Sequence, residues 1–234
     1  METVVITNLS TTLSDADIQK VIPALQKQVS NHLAPKWHVD ATLAFLPKAQ
    51  NPPAGSYRIL IRDTSDFQND PGYHTCDDSG PVANIFAKTA QDNGQKWTVT
   101  FSHELLEMLV NPYTNRAAFL VARDRELMGS AQDSGLTGTY IDLEVCDAVS
   151  SDENGYDVDG VTVSDFVYPE WFAPWLTAQQ YDQNNKLSSF APQVAPGNQI
   201  AASTTGRYQE VGAAQANLGS SMKVARKPSS FRAK

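Results

Sequence analysis

Hydrophobic positions near the start of the chain follow first a strand-like and then a helical spacing. Residues 4–6 are a short apolar run, which predicts a strand. Ser14 can then cap a helix whose first turn is acidic, as the helix dipole favours. Pro23 lies inside this helix and predicts either a kink or a later start. The apolar residues at helical spacing are Ile18, Val21, Ile22, Leu25, Val29 and Leu33.

The pattern then changes to a series of strands around a second strong helix. The strongest helical spacing covers residues 98–110, and Asn111-Pro112 ends it. Residues 156–163 have the pattern of a hairpin that turns at Asp159-Gly160. This order predicts an α+β domain with a mixed sheet, an N-terminal helix and a second, site-bearing helix. The predicted strands cover residues 37–46, 57–61, 82–87, 119–122 and 140–145.

The composition changes near residue 187. Residues 187–234 are rich in Ala, Ser, Gln, Gly and Pro, and their six basic residues and one acidic residue give a net charge of +5. Because the whole chain carries −8, the rest of it carries −13. A segment with so few large apolar residues cannot bury enough surface to fold alone. We therefore predict a domain of residues 1–186 and a low-complexity basic tail, residues 187–234, that serves as an interaction arm.

Charge and hydropathy exclude several classes of protein. The acidic balance argues against an ordinary nucleic-acid-binding protein, and no apolar run is long enough to cross a membrane. The first residues lack the positive charge and apolar length of a signal peptide, so we expect a cytoplasmic protein, or a virion component if a phage encodes it. Cys76 and Cys146 are too few for a disulfide framework. We expect free thiols in a reducing compartment, and a single bridge is the alternative.

The run SHELLEML at residues 102–109 carries the main candidate chemistry. His103 and Glu107 are four residues apart, so on a helix they share one face and can bind one divalent cation together. Glu104, next to His103, can reach a water molecule on that cation without occupying a coordination position, and it can accept the proton of that water. The alternative is that His103 and Glu107 lie on a solvated polar helix face.

This run resembles the active-site helix of the zincin metallopeptidases, whose motif is His-Glu-x-x-His. Glu107 stands at the position of the second histidine. Glutamate also ligates zinc, although a carboxylate-rich site accepts harder ions such as manganese or calcium more easily. The resemblance implies a zincin-like fold, bound Zn²⁺ or another divalent cation, and hydrolysis of a peptide or protein substrate with Glu104 as the general base.

The resemblance also implies further site residues. Zincins of the glutamate class take their third ligand from a downstream glutamate, and Glu144 matches that role. It lies in an alternating segment that places Asp142, Glu144 and Cys146 on one face. Asp147 is an alternative ligand or orients one, and the other reading is that these acidic residues face water. His74 comes from the region that lines the zincin cleft, so it either stabilises the developing oxyanion or binds the metal.

The wider pattern is similar to a group of uncharacterised peptidase-like proteins of bacteria and their phages. The similar segments are APKW at 34–37, GYH at 72–74, SHELLEML at 102–109, EVCDAV at 144–149 and VSDFVYPEWF at 163–172. Two functions follow. One is a zinc peptidase. The other is a structural or accessory subunit of a larger assembly, for example a virion, in which the metal site is structural or vestigial and the basic tail docks on an acidic neighbouring copy.

Overall fold

The computed structural model describes residues 1–67, 69–121, 138–173, 178–188, 199–202 and 208–210. The helices in these residues are α1 (Asp15–Lys27), α2 (Ala34–Trp37), α3 (Ala87–Asp92) and α4 (Trp97–Val110). A π-helical segment, Gln28–Leu33, joins α1 to α2, and 3-10 turns lie at Asp147–Val149 and Pro169–Phe172. The strands are β1 (Glu2–Asn8), β2 (Ala41–Phe45), β3 (Tyr57–Arg62), β4 (Gly72–Asp77), β5 (Gly80–Phe86), β6 (Ala117–Val121), β7 (Gly138–Asp142), β8 (Tyr156–Val158), β9 (Val161–Val163), β10 (Gln199–Ala202) and β11 (Tyr208–Glu210).

The largest sheet of the described residues has the strand order β2-β1-β3-β5-β4. Its strands are parallel except β4, which is antiparallel to β5. In β2 the buried Ala41 and Leu43 alternate with the exposed Thr42 and Ala44, the pattern of a strand with one covered face. β5 is buried from its second residue to its end, as expected of a strand covered on both faces. The predicted α+β class with a mixed sheet is confirmed.

Two smaller sheets accompany it. One has the order β11-β10-β7-β6, with antiparallel neighbours throughout. The other is the predicted hairpin of β8 and β9. Its two turn residues, Asp159 and Gly160, have φ values of 50° and 84°. Positive φ at both central residues matches the twist of the flanking strands, so the predicted turn at Asp159-Gly160 is confirmed.

The N-terminal helix begins where its cap predicts. The Ser14 hydroxyl accepts from the Asp17 N–H at 3.2 Å, and the Asp17 carboxylate accepts from the Ser14 N–H at 2.9 Å. This reciprocal capping box fixes the start of α1 at Asp15. The prediction that Pro23 delays the helix start is therefore wrong, because Pro23 lies within α1.

Three other elements differ from the predictions. The strand predicted at residues 37–46 begins at Ala41, because Trp37 still belongs to α2. The strand predicted at residues 140–145 ends at Asp142, and the predicted alternation is not kept, since Glu144, Val145 and Cys146 are all buried. The helix α3 has six residues, too few to show a helical period in the sequence.

Little of the predicted tail lies among the described residues. β10 extends the second sheet by pairing with β7, for example Gln199 with Ile141, and β11 pairs with β10. The rest of residues 187–234, and residue 122 of a predicted strand, lie outside the described part, so the domain boundary at 186 stays a prediction. Cys76 and Cys146 are both free thiols, as expected. Among the described helices, none has the length and apolarity to cross a membrane.

α4 is held in the interior by a buried polar network as well as by apolar contacts. It packs against β4, β5 and β9, and its residues 99–110 are all buried. The Ser102 hydroxyl donates to Oε1 of Gln28 at 2.7 Å and accepts from the Ser164 N–H at 3.0 Å. The Gln28 amide in turn donates to the Ser164 carbonyl at 2.8 Å. These bonds tie α4 to the π-helical segment and to the chain after β9, which fixes the rotation of α4 about its axis.

We expect Ser102→Ala to destabilise the protein by about 1–3 kcal/mol, because it leaves the buried Gln28 oxygen and Ser164 N–H without their partner. Urea denaturation followed by tryptophan fluorescence measures the loss. The matched control is Ser79→Ala at an exposed position, where a change within about 0.5 kcal/mol is expected. Equal stability of the two variants would show that the network contributes nothing.

A second buried polar feature is a pair of carboxyl groups near the end of the domain. Asp165 and Asp182 are both fully buried. Oδ1 of Asp165 accepts hydrogen bonds from the backbone N–H groups of Phe166 and Asn184. The Asp182 carboxylate accepts hydrogen bonds from the N–H groups of Lys186 and Leu187. Burial, followed by the nearby charge of Asp182, raises the pKa of Asp165 from 3.8 to about 8. Asp165 is therefore the protonated member of the pair at neutral pH.

This pair predicts a pH dependence of stability. The folded-state pKa of Asp165 is raised, so its contribution is complete below about pH 4 and is lost as the pH rises through about 8. Asp165→Asn keeps a neutral side chain at every pH, so the variant should lose less stability than the wild type between about pH 5 and about pH 9. Asp182→Asn, which removes the neighbouring charge but leaves Asp165 buried, should reduce the loss by a smaller amount. Urea denaturation at both pH values is the measurement, and parallel losses in all three proteins would contradict the prediction.

Candidate metal centre

α4 carries three of the predicted site residues into the protein interior. His103, Glu104 and Glu107 are each 0 % exposed. His103 and Glu107 are one turn apart, and Nε2 of His103 lies 3.2 Å from Oε2 of Glu107. The alternative of a solvated polar helix face is therefore wrong. Ionisable side chains on a buried helix need compensating charges or ligands, because their desolvation is costly.

β4 brings His74 against the same helix. Nδ1 of His74 lies 3.4 Å from Oε2 of Glu104 and 3.7 Å from Oε2 of Glu107. Its Nε2 lies 3.5 Å from Oε2 of Glu144, so the two nitrogens of the ring approach different carboxylates. The His74 side chain is 3 % exposed. His74 is thus surrounded by the acidic side chains of the site.

The close approach of β4 to α4 depends on a glycine. A Cβ atom at Gly72 would lie 2.6 Å from Cγ2 of Thr100 and 3.0 Å from Cγ of Glu104. The first distance is shorter than a Cβ contact can be without movement of one partner. Gly72 therefore sets how near the strand that carries His74 comes to the helix that carries Glu104.

Asn111, at the end of α4, positions Glu144. The Asn111 N–H closes the last helical turn by donating to the Glu107 carbonyl at 2.7 Å. Its side-chain amide donates to Oε1 of Glu144 at 3.2 Å, and its Oδ1 accepts the N–H groups of Asn115 and Arg116. One side chain thus connects the helix end to the loop after β7, and it holds one oxygen of Glu144 in place.

The same loop supplies Cys146 and Asp147. The Cys146 N–H donates to Oε1 of Glu107 at 3.1 Å, and Oδ1 of Asp147 lies 3.4 Å from Nε2 of His103. Burial, and then the charge of Glu107, raises the pKa of the Cys146 thiol well above its usual value. The thiol is therefore neutral unless a metal ion displaces its proton.

Together these side chains form one buried group, which we call the α4 cluster. Its members are His74, His103, Glu104, Glu107, Glu144, Cys146 and Asp147. These members include two sets of three residues, and within each set the donor atoms all lie within 4.8 Å of one another. One set is His103, Glu107 and Cys146, and the other is His74, Glu107 and Glu144. Glu104 belongs to neither set.

The spacing of these atoms fits metal ligation better than hydrogen bonding. Several donor atoms are buried and make no hydrogen bond within the described residues. They are both ring nitrogens of His74 and of His103, both carboxylate oxygens of Glu104, and Oε2 of Glu107. Their nitrogen–oxygen distances of 3.2 to 3.7 Å lie at or beyond the long end of an N–H···O bond. Ligands about 2.1 Å from a tetrahedral zinc ion are about 3.4 Å apart. The residues present therefore fit a divalent cation.

The electrostatics of the α4 cluster indicate the same need for positive charge. Burial by itself lowers the pKa of His74, but Glu144 and the other glutamates outweigh it and raise the pKa to about 9. Burial likewise opposes protonation of His103, yet Glu107 and Asp147 hold its pKa well above the usual value. Burial raises the pKa of Glu107 to about 8, with His103 opposing and Asp147 adding to the shift. Without a cation, the cluster retains protons.

The structure brings the five predicted residues, His74, His103, Glu104, Glu107 and Glu144, into one site, but it places the predicted metal ligands His103 and Glu144 in different ligand sets. Their assigned roles stay predictions. Cys146 and Asn111 were not assigned to the site from the sequence. The signal for Cys146 was its position two residues after Glu144, on the same side of the alternating segment. For Asn111 there was none, because Asn-Pro after a helix is an ordinary stop signal.

Asp70 is a further buried acidic residue near the site. Burial, and then the negative charge of Glu104, raises its pKa to about 7. In the sequence, Asp70 precedes Pro71 and Gly72, a combination typical of a turn. A turn residue gives no sign that its side chain points inwards, so this neighbour of Glu104 could not be recognised.

Comparison with known proteins identifies no relative of this chain. No protein-family model matches the chain, and neither the curated proteins nor the solved structures contain a match to it.

We expect Gly72→Ala to destabilise the protein by about 1–3 kcal/mol, because the new methyl group overpacks the contact with Thr100. Thr100→Ala removes the atom that lies 2.6 Å away, so the double variant should recover part of the loss. Chemical denaturation of both single variants and the double variant gives the interaction energy. Strictly additive effects would show that the two residues do not meet.

Proposed function

We propose that this protein is a metal-dependent hydrolase that cleaves amide bonds in peptides or proteins, with zinc as the favoured ion. The observation that carries the proposal is the α4 cluster, in which buried imidazole, carboxylate and thiol donors lie at ligand spacing. Zinc accepts all three donor types, and its structural and catalytic sites use them in sets of three or four. A harder ion such as manganese is the alternative, because carboxylates outnumber the other donors.

His103, Glu107 and Glu144 are the predicted ligands, and Glu107 is the one that both ligand sets share. Glu107 would hold the ion together with His103 and Cys146, or together with His74 and Glu144. A bound divalent cation would supply Lewis acidity, which lowers the pKa of a water molecule and polarises an amide carbonyl. Asn111 would keep Glu144 in place, since its amide donates to the second oxygen of that carboxylate. The N–H of Cys146 does the same for Glu107.

Glu104 would act as the general base. It is buried beside the ligand sets but belongs to neither, and its oxygens make no hydrogen bond within the described residues. Its carboxylate would accept the proton of the attacking water and return it to the leaving amine. The His74 ring, 3.4 Å from Oε2 of Glu104, would orient this carboxylate or stabilise the oxyanion that develops on the substrate.

A zincin-like arrangement is part of the proposal. In zincins a strand ahead of the site helix lines the substrate cleft. Here β4, which carries His74, is the antiparallel edge strand of the described five-stranded sheet and packs against α4. An edge strand can pair with an extended peptide through its free backbone groups, which suits a peptide substrate.

We expect Glu104→Gln to retain bound metal and to lower the rate of peptide hydrolysis by about 10²- to 10⁴-fold, because it removes the base and leaves the ligand sets intact. The assay measures cleavage of an unfolded protein and of fluorogenic peptides by zinc-loaded protein, with metal content determined on the same sample. The matched control is Glu153→Gln, which makes the same change at an exposed position and should leave the rate unchanged.

Full activity of Glu104→Gln would refute the role of Glu104. If the wild type binds metal but cleaves nothing, hydrolysis is refuted and the second candidate below is favoured.

The second candidate is a structural metal centre in a structural or accessory subunit, for example of a virion. One observation favours it. The side chains of His103, Glu104 and Glu107 are at most 1 % exposed, and Asp147, the most exposed of the residues paired with them, reaches 14 %. Closed sites are typical of structural zinc, whereas catalytic sites keep an open position. A metal-bound, inactive protein that unfolds when a chelator removes the ion is the result this candidate predicts.

A further inference from the structure

The two ligand sets of the α4 cluster have one residue in common. His103 and Cys146 form one set with Glu107, and His74 and Glu144 form the other set with the same Glu107. Each set therefore has its own imidazole and its own second donor. The two histidines do not occur together in either set of the described residues.

Glu107 is placed to serve both sets at once. Its Oε2 lies 3.2 Å from Nε2 of His103 and 3.7 Å from Nδ1 of His74, so imidazoles of both sets approach the same oxygen. That oxygen makes no hydrogen bond within the described residues, whereas Oε1 accepts the Cys146 N–H. A carboxylate has enough lone pairs to bind two cations, and paired metal ions in hydrolytic sites are about 3.5–4 Å apart.

The charge of the α4 cluster also favours two ions over one. Its carboxylates are those of Glu104, Glu107, Glu144 and Asp147, which carry four formal negative charges when ionised. Neutral imidazole ligands add no charge and a ligating Cys146 thiolate adds one, so two divalent cations balance four of five negative charges. A single divalent cation would leave three negative charges uncompensated, and the desolvation of such charges in the interior is costly.

We propose that the α4 cluster binds two divalent cations, with the Glu107 carboxylate shared between them. The ion of the first set has a sulfur donor from Cys146 and a nitrogen donor from His103, which select zinc or cobalt. The ion of the second set has His74 and Glu144, a harder set that takes zinc or manganese. This two-ion site rests on the metal binding of the proposed function but not on hydrolysis.

Metal stoichiometry tests the proposal directly. The full-length protein is freed of metal with a chelator, loaded with excess Co²⁺ or Zn²⁺, and separated from free ion by gel filtration. Metal and protein are then quantified on the same fraction, and the cobalt form is examined by absorption spectroscopy. We expect two ions per chain and a charge-transfer band from the thiolate to cobalt.

Variants assign the ions to the two sets. Cys146→Ser should reduce the stoichiometry from two to one and abolish the charge-transfer band. Glu144→Gln should also leave one ion but keep the band, and Glu107→Gln should weaken both sites. The exposed residues Cys76 and Glu153 provide matched controls, because Cys76→Ser and Glu153→Gln should each leave two ions and the band.

Two ions in the wild type, with one ion left in each of the two set-specific variants, supports the proposal. One ion in the wild type overturns it and leaves the proposed hydrolase intact, whereas no bound ion overturns both. Loss of all metal in both set-specific variants, with circular dichroism showing them folded, would mean a single shared site and also overturns it. If one of these variants fails to fold, the stoichiometry and the band of the other decide.

Discussion

Glu107 lies fully buried between two histidines, and the interaction of its carboxylate with them is the constraint on which the rest of the site depends. Water cannot solvate the charge, and an ionised carboxylate in the interior costs several kcal/mol unless it is paired or ligated. His74, His103 and the N–H of Cys146 converge on it from three parts of the chain. The neighbouring carboxylates raise the pKa of both histidines, which favours their positively charged form beside Glu107.

Contacts of α4 and β4 with their neighbours hold this carboxylate in position. Ser102, one residue before His103, is bonded to Gln28 and Ser164, which opposes rotation of α4 away from the cluster. Gly72 lets β4 approach α4 closely enough for His74 to reach the helix. The polar groups of Ser102, Gln28 and Ser164 are hydrogen-bonded to one another. The ring nitrogens of His74 and His103, by contrast, make no hydrogen bond within the described residues, as expected of side chains placed for a ligand.

The depth of the site connects its two proposed uses. Burial strengthens every electrostatic interaction inside the α4 cluster, which favours both tight metal binding and a strong effect of the ion on water. The same burial limits access for a peptide. A shared Glu107 would also bear on catalysis, because a pair of bound ions would supply Lewis acidity at two points of the site and a single ion at one.

The sequence by itself determined the α+β class, the start of α1 at its capping box and the limits of α4, because these follow from local spacing and capping. It also identified His103, Glu104 and Glu107, whose proximity is fixed by the helical repeat. Resemblance, not spacing, pointed to Glu144 and His74. Only the tertiary structure decided that the α4 face is buried, that Cys146 joins the α4 cluster and that Asn111 holds Glu144. Those relations join residues more than 30 positions apart, and no local pattern encodes the packing that brings them together.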